Sequence, residues 1–300
     1  CRVVRFEMEG WCRRVTLYFS AFLLMEANMS LAGKTIFITG SSRGIGRAMA
    51  LRFAQDGANL VITGKTETPH PKLEGTIHSV VDEVRQAGGQ ALAVPLNVRE
   101  GEAIVSAVHR AVDHFGGIDI LVNNASAISL TPTIETTLKR FDLMMDVNVR
   151  ATFACSQACI PHLLKAQNAH ILNISPPLNM QKKWFKDHVA YTYSKYGMSV
   201  CTLGMSAEFA DQGLAVNSLW PATTIATAAV KYNFPTHIYA ASRKPSVMAD
   251  AAYAILIKKS TAATGQFYLD EEVLLENGIS DFSHYMVDPS LKPIPDFYID

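Results

Sequence analysis

A short β-rich run, Thr35–Thr39 (TIFIT), leads straight into a glycine-rich turn, Gly40–Gly46. Apolar positions at helical spacing follow it: Ile45, Met49 and Phe53. A helix that starts this close to a strand must fold back along it, so repeats of the unit give right-handed crossovers between parallel strands. The repeats are present. Leu60–Thr63, Ala91–Leu96, Ile118–Val122, His170–Ile174, Ala215–Trp220 and Gln266–Leu269 read as further strands. Between them, Ile77, Val80, Val81 and Val84 fall on one helical face, stopped by Gly88 and Gly89. Ile104, Val105, Val108, Val112 and Phe115 mark another, stopped by Gly116 and Gly117, and Ala190–Ala210 and Ser246–Lys258 read as later helices.

The expected fold is α/β: a Rossmann-type, doubly wound parallel sheet of about seven strands, with helices on both faces. One domain is expected over residues 29–300, its proline-rich end from about Asp281 lying over the body as a tail. A chain of 300 residues buries about 75% of its unfolded surface and needs no disulfide or metal to hold a core. With 49% apolar and 18% charged residues, intrinsic disorder is excluded. The 27 basic and 27 acidic side chains cancel, which argues against a nucleic-acid partner. No run reaches the roughly 20 apolar residues that cross a bilayer, so no stable membrane insertion is expected. The five cysteines lack zinc-ligand spacing, and Cys155 and Cys159, four apart in a helical pattern, read as packing thiols of a protein in a reducing compartment. The histidines are scattered, so no metal is implied. Residues 1–28 stand apart. Their arginines precede an apolar stretch, Val15–Met25, which fits a signal or transit peptide, or else an upstream extension with Met29 as the natural start, the reading favoured here.

The turn reads TGSSRGIG from Thr39 to Gly46. Gly40 permits a tight turn, and Gly44 and Gly46 let backbone and helix approach a pyrophosphate, to which the helix N-terminus offers free N–H groups. The spacing is not GxGxxG; the strand–turn–helix setting makes it a nucleotide signal. At the end of the second strand, where a carboxylate would bind a ribose 2′-hydroxyl, stands Lys65, and Arg43 lies inside the turn. Two cations and no carboxylate favour NADP over NAD.

Tyr191 and Lys195 (YTYSK) sit four apart in a helical segment and so face the same way. A free phenol titrates near 10 and is a poor acid–base catalyst at neutral pH. An adjacent ammonium lowers that value, so Tyr191 would pass a proton to a carbonyl oxygen as hydride reaches its carbon, or take it back in reverse.

Taken in order, TGSSRGIG, NNAS (Asn123–Ser126), Asn148 and YTYSK resemble the short-chain dehydrogenase/reductase family, over Met29 to about Leu269. The Thr68–Leu73 loop, NNASAISLT and HILNISPPLN are similar to one branch, whose members reside in peroxisomes or mitochondria and usually continue into a sterol-carrier domain. The reductase part alone is matched here, so lipid carriage is not implied. The C-terminal Tyr298-Ile299-Asp300 is not a peroxisomal tripeptide, and the cytoplasm stays open as a location. The resemblance implies Tyr191 as proton donor or acceptor, Lys195 on the nicotinamide ribose, and Asn148 anchoring a water that links Lys195 to solvent. Gly40, Ser41, Ser42, Arg43, Gly44, Ile45 and Gly46 would bind the pyrophosphate, Lys65 the adenosine phosphate, and Asn97 and Val98 the adenine. Asn124 and Ala125 would line the adenine-ribose side, and Pro221–Thr227 would touch the carboxamide.

Three departures stand out. The family's substrate-polarising serine falls on Leu178 or Pro176, so either Ser175 substitutes or one hydrogen bond to the substrate oxygen is missing, a loss on the order of 10²–10³ in turnover. Asn97 replaces a more usual Asp, and Ala222 follows Pro221 where glycine is usual. Trp184, Phe185 and His188 precede Tyr191 and either line an apolar substrate pocket or simply pack. His70 and Lys72 either touch a phosphate or shape a loop. The expected function is an NADP-dependent oxidoreductase interconverting a carbonyl and an alcohol on an apolar, lipid-like substrate. The alternative is a catalytically weak NADP(H)-binding interaction or sensing protein. The Ala-, Val- and Met-rich helix around Met198–Phe209 suits packing against a second copy, as dimer or tetramer.

Overall fold

The computed structural model describes residues 30–71 and 73–300; the extension at 1–28, with Met29 and Lys72, lies outside the described residues. Seven strands form one sheet: β1 (Thr35–Ile38), β2 (Asn59–Gly64), β3 (Gln90–Pro95), β4 (Ile120–Asn123), β5 (His170–Asn173), β6 (Ala215–Trp220) and β7 (Phe267–Leu269). Their order is β3-β2-β1-β4-β5-β6-β7, all pairs parallel. The expected α/β class and strand number hold.

A parallel sheet covered on both faces buries every residue of its inner strands, hence the unbroken apolar runs. Alternate side chains choose opposite cores. Ile36 and Ile38 join one core with Met49 and Phe53 of α1 (Gly44–Ala54), with α2 (Ile77–Gln86), and with Val247 and Ile255 of α9 (Ser246–Leu256). Phe37 faces the other core, with Ile104 and Val108 of α3 (Gly101–Phe115) and Cys155 and Cys159 of α5 (Ala151–Leu163). Both cysteines are free and buried, and burial pushes the Cys155 thiol up to about 12, as packing thiols should behave. Thr76 and Ser79 cap α2 reciprocally, and Gly116, at φ 86, ends α3 in the left-handed conformation that glycine adopts without strain.

Between α4 (Leu138–Met144) and α5, one wide turn, Met145–Arg150, carries Asn148. The long helix α6 (Val189–Phe209) carries Tyr191 and Lys195. Two short helices follow β6, α7 (Ala228–Asn233) and α8 (Thr236–Ala240), and α10 (Asp270–Glu276) follows β7; the sequence pattern flagged none of the three. Strand order reverses beside β1, where β2 leaves on one side and β4 on the other. Ligands of open α/β sheets bind at the carboxyl ends of the strands at such a point.

Candidate active site

The glycine turn sits at that reversal. Gly40 (φ 66) and Gly44 (φ 58) take left-handed backbone, and a Cβ at Gly46 would meet Asn124 Nδ2 at 2.6 Å and the Gly40 carbonyl at 2.7 Å. The N-cap residue, Arg43, makes no side-chain capping bond to α1, whose first-turn N–H groups lack intrahelical partners, an arrangement that suits a pyrophosphate. Not every turn residue is free for a ligand. The Ser41 hydroxyl donates to the Ile38 carbonyl (3.1 Å) and accepts from Thr63 N (2.9 Å), tying turn to sheet. Ser42 and Ile45 complete the turn, Ser42 buried and Ile45 lining the neighbouring cavity.

Arg43 reaches across to the loop after β2. Its guanidinium donates to Thr66 Oγ1 (3.0 Å) and to the Glu74 (3.1 Å) and Gly75 (3.2 Å) carbonyls, and partial burial lowers its pKa. Lys65, one residue before Thr66, is exposed. Asn97 donates to Glu100 Oε1 (2.6 Å) at the start of α3, and Val98 is buried among the α3 side chains. Asn124 donates to the Thr39 (2.9 Å) and Gly40 (3.0 Å) carbonyls, while Thr39 Oγ1 accepts from the N–H groups of Asn124 and Ala125. In this geometry Asn124 staples β4 to the turn. His70 bridges Leu73 within its loop.

Beyond the turn lies a cavity of about 460 Å³ that draws together Ile45, Tyr191, Lys195, Trp184, Pro221 and Asp296. Its walls are mostly apolar, with Val230, Phe234, Ile294 and Phe297 among them. Tyr191 and Lys195 are both deeply buried, at 6% and 2% exposure. Lys195 Nζ donates to the Ile174 carbonyl (2.6 Å) and stands 5.0 Å from the Trp220 ring centroid. Burial pulls its pKa down to about 7, against an opposing pull from Asp296. Asn148 is fully buried. Its amide donates to the Ala127 carbonyl (2.9 Å) and Ser194 Oγ (2.8 Å), and its Oδ1 accepts from Ala127 N (2.7 Å). It thereby joins Ala127, just after the NNAS segment, to the residue preceding Lys195.

Two expectations need correction. Among the chain's own charges, Tyr191 does not titrate easily: burial first, then Tyr298 and Asp296, raise its pKa well above 10. Helical spacing alone aligns the pair, but Lys195 spends its ammonium on Ile174, and low-dielectric surroundings penalise the phenolate. Ser175, in turn, does not line the cavity. Its hydroxyl meets Ser218 Oγ (2.8 Å), which meets Thr202 Oγ1 (2.7 Å), which accepts from Asn173 (2.8 Å). These bonds engage the Ser175 hydroxyl within the fold, apart from the residues that line the cavity.

Trp184 lines the cavity, Phe185 packs edge-on against Tyr196 (5.5 Å between centroids), and His188 caps Thr192 through Nδ1 (3.0 Å). The Trp184 indole N–H is buried and has no hydrogen-bond partner among the described residues. Pro221–Thr227 is held from below by Asp270, which accepts from Ala222 N (2.7 Å), and from above by Ile294, whose carbonyl accepts from Thr224 N (2.9 Å).

A family model described as short chain dehydrogenase matches residues 34–237. The chain belongs to the short-chain dehydrogenase family. It is 54% identical over 277 residues to hydroxysteroid dehydrogenase-like protein 2 of Danio rerio, covering 92% of this chain and 66% of that protein. The human protein of the same name is 54% identical over 270 residues, 90% of this chain and 64% of its own length. The chain thus spans just under two thirds of these relatives. Among solved structures, a Mycobacterium thermoresistibile short chain dehydrogenase is 49% identical with a TM-score of 0.85, covering 90% of this chain and 96% of its own. A Xanthomonas campestris protein is 52% identical with a TM-score of 0.88, covering 91% and 100%. The family binds a nicotinamide nucleotide, which fits the uncapped α1 N-terminus and the close glycine packing seen here.

Sequence reading missed Asp296, Tyr298 and Trp220 as neighbours of the pair. Asp296 has no motif around it; its only signal was the proline-bounded PIPDF stretch in the tail.

Proposed function

We propose that this chain is an NADP-dependent oxidoreductase that interconverts a carbonyl and an alcohol on an apolar, lipid-like substrate. The observation that carries this reading is one apolar cavity that runs from Ile45 at the glycine turn to Tyr191 and Lys195. The uncapped turn and α1 would hold the pyrophosphate, and Arg43 and Lys65 a 2′-phosphate. Bound there, the reduced nicotinamide supplies hydride. Tyr191 in its protonated form is a competent acid for reduction: its proton goes to the carbonyl oxygen as the C=O π pair moves onto that oxygen. Lys195 lines the same cavity and would favour the resulting tyrosinate if its ammonium turned from the Ile174 carbonyl towards it, and solvent returns the proton by way of the buried polar groups around Asn148. The Trp220 indole and the apolar wall exclude water and suit a substrate body without charge.

The buried position of Ser175 favours a second reading, a nucleotide-binding protein with weak turnover. NADPH oxidation over medium- and long-chain ketones, aldehydes and steroids, run beside Tyr191→Phe, decides between them. Turnover that disappears in the variant supports the enzyme; tight NADPH binding with no turnover on any compound supports the second reading.

We further propose a homo-oligomer, dimer or tetramer. Phe153 of α5 and Tyr193, Val200 and Leu203 of α6 are 45–61% exposed, an apolar face suited to a twin. Light scattering tests it. A peroxisomal or mitochondrial location is proposed from the resemblance to the branch alone, with fractionation as the test.

A further inference from the structure

The cavity brings one carboxyl group to the pair. Asp296 reaches it on the segment Ile294–Asp300, which is tied down along its length. Thr224 N donates to the Ile294 carbonyl (2.9 Å), Asp296 N to the Ala222 carbonyl (3.2 Å), and Trp220 Nε1 to the Phe297 carbonyl (3.0 Å). Tyr298 is 1% exposed within an aromatic cluster of Trp184, Tyr196, Trp220 and Phe297, and it holds a left-handed backbone, φ 72. A bulky residue keeps such a conformation only where its surroundings over-determine it. The segment is therefore a positioned part of the cavity wall.

The Asp296 carboxyl uses one oxygen, Oδ1, to accept from Phe297 N (2.7 Å); the other has no hydrogen bond among the described residues. No ion pair joins it to Lys195 within 4.0 Å, although the two share the cavity. The carboxyl is half-buried against mostly apolar walls, which disfavour its charged form and favour the neutral acid, which can donate. The hydroxyl that would polarise the substrate, meanwhile, is spent elsewhere: Ser175 faces Ser218.

We propose that Asp296, as the neutral acid, is a catalytic residue of this reaction and donates to the substrate oxygen a second hydrogen bond beside that from Tyr191. This rests on the carbonyl–alcohol reading above. Asp296 keeps its proton through the step; the proton transferred is that of Tyr191. As the carbonyl oxygen gathers negative charge, a carboxylic acid strengthens its bond to it, whereas a carboxylate would repel it. The same donor role is played by a neutral carboxylic acid in enzymes that stabilise an enolate. Burial first, then Asp270 of α10, raise the Asp296 pKa to about 7, while Phe297 N and Lys195 of α6 oppose the rise. Tyr191 of α6 and Tyr298 of the same segment also face it. Reduction should therefore weaken as the pH climbs above neutrality and Asp296 ionises.

The test uses the full chain, NADPH and a medium-chain methyl ketone as probe, with NADPH binding and thermal melts confirming that each variant folds. Asp296→Leu should lower kcat by on the order of 10²–10³ with NADPH binding retained. Asp296→Asn, a donor that never ionises, should keep at least about a tenth of native kcat and lose the decline above neutral pH. Native kcat in Asp296→Leu overturns the inference, and so does an Asp296→Asn variant as impaired as the leucine one. Tyr191→Phe run in parallel separates the failures. An inactive Tyr191→Phe with an active Asp296→Leu sinks this inference alone, whereas an active Tyr191→Phe, or a native chain without turnover, removes the underlying reading as well.

Discussion

Replacing Ser175 with alanine separates a structural hydroxyl from a catalytic one. Among the described residues, Ser175 Oγ makes one side-chain hydrogen bond, to Ser218 Oγ at 2.8 Å, and Ser218 keeps Thr202 (2.7 Å) when Ser175 is truncated. Thr202 still accepts from Asn173, so the substitution leaves no buried polar atom orphaned. The loss is then one net hydrogen bond, about 0.5–1.5 kcal/mol. In a domain of this size that lowers Tm by roughly 1–5 °C. Urea unfolding followed by tryptophan fluorescence measures the first quantity, and NADPH oxidation measures kcat/KM, which should change by less than about threefold. A fall of a hundredfold or more with an unmoved melting point would refute the placement of Ser175 and restore it as the substrate's donor.

Three further outcomes follow from the geometry. Gly46→Ala pushes a methyl group against Asn124 and the Gly40 carbonyl, so it should weaken NADPH binding at least tenfold and cost about 1–3 kcal/mol, read by fluorescence titration and unfolding. Arg43→Ala should raise the NADPH dissociation constant by about tenfold or more and the NADH constant much less; equal effects on both would show that Arg43 merely braces the Glu74–Gly75 loop. Asp296→Asn should also change stability in a pH-dependent way. The folded-state pKa of Asp296, about 7, exceeds its ordinary 3.8, so the native chain loses stability as pH rises through that window. The variant should thus gain on the order of 1–3 kcal/mol over native at pH 8 and little at pH 4, measured by urea unfolding at the two values.

The sheet was legible because each strand is a largely apolar run, because α2 and α3 each carry one apolar face, and because parallel strands need crossovers of that length. Helices α7, α8 and α10 were not, being too short to show a period. The glycine turn and the Tyr191–Lys195 pair were legible through local spacing. What spacing does not carry is where a buried polar atom sends its hydrogen bond. Ser41 and Asn124, read as ligand contacts, also fasten the turn, and Ser175, read as a substitute donor, joins Ser218. Nor does spacing report burial, which here outweighs the lysine and raises the tyrosine. Asp296 lay beyond reach for a different cause: a single carboxylate far along the chain, brought to the site only by the path of the tail.

The most direct test is a paired measurement on Tyr191→Phe, which removes one hydroxyl from a buried ring and leaves its shape. With Tyr191 as the acid, the variant binds NADPH as tightly as the native chain and loses on the order of 10²–10⁴ in the rate of ketone-dependent NADPH oxidation. A variant that folds, binds NADPH and reduces the ketone at the native rate would contradict the assignment of the proton to Tyr191.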